Sequence, residues 1–253
     1  MTTENPYQPP VAALEEPVVA SETAGGTLQD GIEGNYDFEI MDVIKEAWEK
    51  TYGFKGTLLA AGLVIFLIIL VINFGVTFLV SSVGLEENFI VALINQLIFM
   101  AIMYPFMAGI IMLGIRRSVN LPINFSMAFG YFSYTLPLII VAILMTILTT
   151  IGFILLIIPG LYLSFAYFLA IPLVVEKNLG PWQALESSRK AITHHWFKVF
   201  FTYILMGFIY MISIIPLGIG LIWTLPMMVN VSGILYRIMF GVEDARQGEG
   251  HLV

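Results

Sequence analysis

Cysteine is absent from this chain, which removes disulfide frameworks, thiolate metal sites and cysteine nucleophiles from consideration. Charge is scarce too. Charged residues make up 11% of the 253, and the eleven Lys and Arg do not form the basic stripe that a nucleic-acid partner requires. Histidine is nearly missing: only His194 and His195 lie outside the last three positions. Adjacent residues on a helix point about 100° apart, and the nearest carboxylate, Glu186, lies eight and nine positions back, so the pair makes a poor metal site. The first 36 residues contain no basic stretch followed by an apolar run. No cleavable signal peptide is therefore expected, and the first span should act as its own insertion signal.

What is abundant is apolar. A hydrophobic fraction of 58% and a mean hydropathy of +0.90 exceed what a soluble fold of this length could bury, and they point to a membrane protein. A helix needs about 20 apolar residues to cross roughly 30 Å of hydrocarbon. Residues 57–80 supply 24 and residues 89–115 supply 27, with Glu86 and Glu87 in the loop between them. Residues 135–175 and 199–241 run for 41 and 43, each enough for two spans joined by a turn. Six spans in three hairpins follow. The turn between the third and fourth is expected between Gly152 and Gly160, since a turn at Pro159 would leave the fourth span only 16 residues.

The basic residues then orient the chain. Lys45, Lys50, Lys55, Arg116, Arg117, Lys177, Arg189, Lys190, Lys198, Arg237 and Arg246 fall in four clusters separated by the apolar stretches. If each stretch crosses twice, every cluster and both termini lie on one side, which the positive-inside rule makes the cytoplasm. The net charge of −7 is unevenly divided: residues 1–55 carry eleven acids and three Lys, while the remaining 198 residues carry seven acids and eight bases.

Residues 1–36 mix proline, glycine and scattered acids with too little apolar material to offset chain entropy, and are expected to form a disordered cytoplasmic tail. Within it Asn5, Pro6, Tyr7, Pro9 and Pro10 have the spacing of an extended polyproline segment, a candidate docking motif. Residues 37–55 show the stripe Ile40, Val43, Ile44, Ala47, Trp48, Thr51 and Tyr52 of an amphipathic helix, with Asp37 as a cap. Phe125, Ala128, Phe129 and Phe132 precede span 3, and Trp182, Leu185, Ile192 and Trp196 precede span 5. The expected unit is a surface amphipathic helix followed by a membrane hairpin, used three times, over a membrane domain at 56–241 and a short tail at 242–253. The outline IIPGLYLSFAYFLAIP, repeated in part as IIPLGIGLIWTLP, accords with a repeat.

The region 159–241 carries Pro159 and Gly160 opening a span, Pro172 and Glu176 closing it, the segment PWQALESSRKAITHHW, the GIG turn and Tyr236. In this it resembles poorly characterised bacterial inner-membrane proteins related to the membrane domain of some glycerophosphoryl diester phosphodiesterases. The resemblance implies an inner-membrane location. It carries no activity, because no soluble stretch approaches the roughly 250 residues that a catalytic barrel takes.

Two groups of residues are candidates for function. Asn73 lies about 11 residues before the middle of the first outer loop, and Asn95 with Gln96 about 11 after it, so a hairpin places them at one depth, roughly 16 Å below the outer surface. Asn230 lies a similar distance beyond the turn at Gly218 and Gly220. The four amides could form a polar midplane site or serve as interhelical glue. Arg189, Lys190, His194, His195 and Lys198 make the most basic surface of the chain, a candidate for lipid phosphates. The candidate acids Glu176 and Glu186 stand unaccompanied by a base or nucleophile. The sequence thus predicts an all-α, six-span protein of the bacterial inner membrane that acts without catalysis or cofactor, through protein partners or membrane lipids. The alternative is a small transporter or exporter component that uses the amides.

Overall fold

The computed structural model describes residues 25–243, and among these the chain is helix and turn with no strand. Ten helices follow one another among the described residues. They are α1 (Leu28–Glu33), α2 (Ile40–Lys50), α3 (Lys55–Ser82), α4 (Phe89–Ser118), α5 (Thr135–Leu155), α6 (Ile157–Ala166), α7 (Ala170–Glu176), α8 (Pro181–His194), α9 (Trp196–Ile214) and α10 (Leu221–Phe240). Six stretches of the described residues are long and apolar enough to cross a membrane: Lys55–Ser82, Phe89–Ser118, Phe125–Leu155, Ile157–Glu176, Trp196–Ile214 and Leu221–Phe240. The protein is an all-α polytopic membrane protein. The expected docking motif at residues 5–10 and the last basic residue, Arg246, lie outside the described residues.

Proline and glycine punctuate the spans in a physically readable way. The turn between α5 and α6 is the single extended residue Leu156, inside the expected interval. It is this tight because Gly152 and Gly160 face each other: a methyl on Gly152 would lie 3.0 Å from the Gly160 backbone. Pro159 and Pro172 are the third residues of α6 and α7, where the missing N–H costs nothing because first-turn donors have no partner within the helix. Span 4 is broken between α6 and α7, and α8 repairs the break. The buried Ser188 hydroxyl donates to Ala166 O at 2.7 Å and accepts from Leu169 N at 3.1 Å. Backbone groups freed in a span need such partners.

The third hairpin does not stand level with the first. α10 lies against the C-terminal half of α4, with Gly114 and Gly233 so close that a methyl on Gly233 would run into the Gly114 carbonyl. That contact is 25 residues beyond Phe89 and only 12 beyond Leu221. At 1.5 Å per residue, α4 runs on roughly 20 Å past the beginning of α10. Much of the α3–α4 hairpin therefore has no protein neighbour, and α3 is the least covered of the six spans.

The segments that precede the hairpins differ from one another. α2 is the expected amphipathic helix, shorter than 37–55, with Val43, Ile44 and Ala47 buried. Asp37 is not its cap; that position is Glu39, and Asp37 accepts instead from Phe38 N and Lys198. The second segment is not an α-helix but two short 3-10 turns, Phe125–Phe129 and Phe132–Tyr134, interrupted at Gly130. Its rings set it against α4, Phe106 meeting both Phe129 and Phe132 edge-on. The third is α8, in which Leu185 and Ile192 are buried while Trp182 is exposed.

The expected disordered tail at 1–36 ends earlier than its composition suggests. α1 begins with a capping box between Thr27 and Asp30 and ends on Gly34 in the left-handed region. It packs between α8 and α10: Gly26 N donates to Arg237 O, Gly31 sits on the Phe240 ring, and Tyr36 OH donates to Ala191 O at 2.7 Å. Gly25, Gly26, Gly31 and Gly34, all at such close approaches, let so short a segment order, because its backbone does the packing that its few apolar side chains cannot. Likewise the start of the expected C-terminal tail is tied down: Val242 is buried and Glu243 pairs with Lys177. Deleting residues 25–36 should therefore lower the thermal midpoint in detergent by several degrees, at about 2–4 °C per kcal/mol for a chain of this size. An unchanged midpoint would mean that α1 merely rests on the surface.

Candidate functional site

Lys50, Lys177, Arg189, Lys190, Lys198 and Arg237 pair with the protein's own carboxylates. Arg237, in the last turn of α10, donates from both η nitrogens to Glu46 at 2.7 and 2.9 Å and from Nη1 to Ser118 O at 2.6 Å. Arg117 donates to Lys50 O and Tyr52 O, and Asn230 Nδ2 donates to Ala47 O at 3.1 Å. Side chains of α4 and α10 thus satisfy the last carbonyls of α2, which a helix leaves unpaired. Glu176 is buried; it accepts from Tyr236 OH and Glu243 N, both at 2.7 Å, and pairs with Lys177 at 3.2 Å.

The expected lipid-phosphate surface is occupied by the protein's own acids. Arg189 makes a two-pronged contact with Glu186 at 2.8 and 2.7 Å, and Lys190 stands 3.6 Å from the same carboxylate. Lys198 is 2.7 Å from Asp37, 3.3 Å from Glu39 and 2.8 Å from Phe38 O. His195 lies 3.8 Å from Asp37, and His194 bonds to Ile32 O. These bonds explain the acid–base behaviour. Hydrogen bonds from Arg189 hold Glu186 below the usual carboxylate range and Glu186 in turn raises Arg189, while the bond from Lys198 lowers Asp37. Glu176 and Glu186, expected to stand alone, are members of ion pairs.

The four amides do not meet. Asn73 and Asn95 face each other across a cavity of about 20 Å³, room for one water, with no hydrogen bond between them among the described residues. Gln96 turns away into a separate apolar groove with Met103, Tyr104 and Thr146. Asn230 is buried between α10 and α2, its Nδ2 on Ala47 O and its Oδ1 without a partner among the described residues. Depth counted from the outer turns fails because α10 is displaced along α4. Other polar side chains join the spans: Tyr203 bonds to Ser232 at 3.1 Å, and Ser213 to Thr224.

The concave feature that sequence reasoning missed is a groove of about 520 Å³ between α3, α4 and α10. Leu58, Leu63 and Phe66 form one wall, Ile110 and Ile111 the floor, and Leu225, Met228 and Val229 the other wall, with Ser232 as a polar lining residue. Gly62 lines it with nothing within 4 Å of where its side chain would begin. Its size falls among small-molecule and lipid-chain sites. Beside it Lys55 Nζ lies 5.1 Å from the centre of the Trp223 ring and 5.8 Å from that of Tyr52. On hairpins of equal reach Lys55 and Trp223 would be at opposite ends of their spans; the displacement of α10 brings them together. Among the described residues no group of His, Asp and Glu is arranged to hold a metal ion. Compared with family models, curated proteins and solved structures, the chain matches none.

Replacing Asn230 by Leu should cost about 1 kcal/mol in stability, whereas Asn73→Leu should stay within about 0.5 kcal/mol, and the double change should be additive. Coupling between the two in a double-mutant cycle would contradict their separation. Asp37 and Glu186 release their protons at lower pH in the fold than in the unfolded chain. The stability they lend is thus complete at neutral pH and disappears as pH falls below the ordinary carboxylate range and through the depressed values. The thermal midpoint should fall less steeply in that acid window for Glu186→Gln than for the unaltered protein; identical acid limbs would discount this pair.

Proposed function

We propose that this protein resides in the bacterial inner membrane with both termini in the cytoplasm, acts without catalysis, and works by holding a membrane lipid chain in the α3–α4–α10 groove. The observation that carries the reading is the groove itself: about 520 Å³, lined almost wholly by apolar side chains, beside a polar layer whose acids are engaged in structural ion pairs. A membrane enzyme would need an acid, base, nucleophile or metal ligand facing such a cavity. Ser232 is the polar residue lining this one, and Tyr203 engages its hydroxyl. Kinship with the membrane domain of some glycerophosphoryl diester phosphodiesterases belongs to the same proposal, on the motifs of residues 159–241, without any activity attached. The transporter alternative is weakened by the separation of Asn230 and Gln96 from Asn73 and Asn95.

A second reading, association with another protein through the α3–α4 hairpin, is favoured by Asn73 and Asn95, whose amides have no hydrogen-bond partner among the described residues and stand on an otherwise apolar face. Unpaired amides in hydrocarbon are costly, and a facing helix would relieve them. One experiment separates the readings. The full chain is reconstituted with phospholipid bearing a photoreactive group on its acyl chain, and adducts are mapped by mass spectrometry. Labelling should concentrate on Leu63, Phe66 and Leu225 over the equally apolar and more exposed Phe74 and Phe78. An even spread would reduce the groove to ordinary lipid-facing surface, and protection confined to the Asn73 face would favour the protein partner.

A further inference from the structure

Resting on the groove as a lipid-chain site, the character of the lipid headgroup can be read from Lys55. Lys50, Lys177, Arg189, Lys190, Lys198 and Arg237 each have a carboxylate within 4 Å. Among the described residues Lys55 has none and no oxygen accepts from its ammonium; its contacts there are the rings of Tyr52 and Trp223. An ammonium carries three donors, and ring faces do not satisfy them as oxygen atoms do. The charge nevertheless stays at the edge of an apolar groove. Lys55 precedes the lining residues Leu58 and Leu59 by one helical turn, and Trp223 precedes the lining residue Leu225 by two positions.

The approach to Lys55 is open. A side chain at Gly56 would meet nothing within 4 Å, and Tyr52 is exposed. An amphiphile that fits this arrangement has an anionic head with several oxygen acceptors next to a long apolar chain. A zwitterionic head would bring a cation of its own to a lysine that has no carboxylate within 4 Å among the described residues.

We propose that Lys55, Tyr52 and Trp223 form the headgroup end of a site for an anionic glycerophospholipid, one acyl chain of which lies in the groove between α3, α4 and α10. The lysine bonds the phosphate, and the two aromatic residues hold the ammonium at the level where the chain begins.

The test uses the full chain in vesicles of equal phosphatidylglycerol and phosphatidylcholine, with retained lipid counted by class in native mass spectrometry after mild extraction. The unaltered protein should retain phosphatidylglycerol over phosphatidylcholine by about fivefold, the preference that one lysine near an anionic group supplies. Lys55→Gln should bring that ratio close to one without reducing total lipid, and Lys55→Arg should keep the preference. Gly62→Phe, which fills open space in the groove, should reduce retention of both classes, with an unshifted thermal midpoint as the check on folding. An unchanged ratio in Lys55→Gln overturns the headgroup assignment while leaving the groove standing, provided that Gly62→Phe still expels lipid. Undiminished retention in Gly62→Phe overturns the groove reading, and the headgroup site with it.

Discussion

The guanidinium of Arg237 fixes the arrangement on which the rest of this structure depends. It is bound to Glu46 of α2 and to the Ser118 carbonyl at the end of α4, and the backbone carbonyl of Arg237 accepts from Gly26 N ahead of α1. One residue at the end of the last span thereby ties together the leading segment, the surface helix and the second span. Hydrogen bonds to charged groups contribute about 1.5–3 kcal/mol each when made, and a half-buried carboxylate left without its partner costs a comparable amount. Neither Glu46 nor Arg237 can move independently, so the axial position of α10 relative to α4 is set at this end.

That position has consequences at the other end of α10. Once Arg237 is level with Ser118, the glycines Gly114 and Gly233 meet, and a helix of 20 residues cannot reach as far along the bundle as α4 with 30. Trp223 then falls beside Lys55, and the upper part of α3 is left without a protein neighbour on one side. The groove follows directly: its walls are α3 and α10, its floor is α4, and no side chain fills it because Gly62 stands where a larger residue would. The polar layer and the apolar groove are two outcomes of the same longitudinal offset.

How much of this was legible in the sequence depends on how far apart the determinants lie. The six spans were, because each is a continuous apolar run, and so was the turn at Leu156, bracketed by two glycines. The face of α2 was legible from the spacing of Val43, Ile44 and Ala47. α1 was missed, although Thr27 and Asp30 form a capping box three residues apart; its order comes from glycine contacts with α10, more than 200 residues away. The basic surface of α8 and the start of α9 was read as a candidate for lipid phosphates; that Asp37 and Glu39 return to Lys198 from the other end of the chain was not legible. Asn230 was assigned the wrong neighbours because counting residues from a turn measures depth only if all hairpins start level.

The same reasoning separates residues that hold the fold from those free to recognise something else. Glu176, Glu186, Arg189 and Lys198 are the kinds of side chain in which function is usually sought, and here each is engaged by a partner within the chain. Asn230, buried and bonded to the end of α2, acts as a helix cap supplied from another span. Recognition is then left to groups whose capacity is unmet and whose surroundings are open. Asn73 with Asn95 and Lys55 with its two rings both fit that description, but they differ in what they would accept. Paired amides suit another amide or backbone group on a neighbouring helix, whereas an ammonium beside an apolar channel suits an anion with a hydrocarbon tail. The membrane around this protein supplies the second kind of molecule in excess, and the geometry at Lys55 places its charge and its chain in adjoining sites.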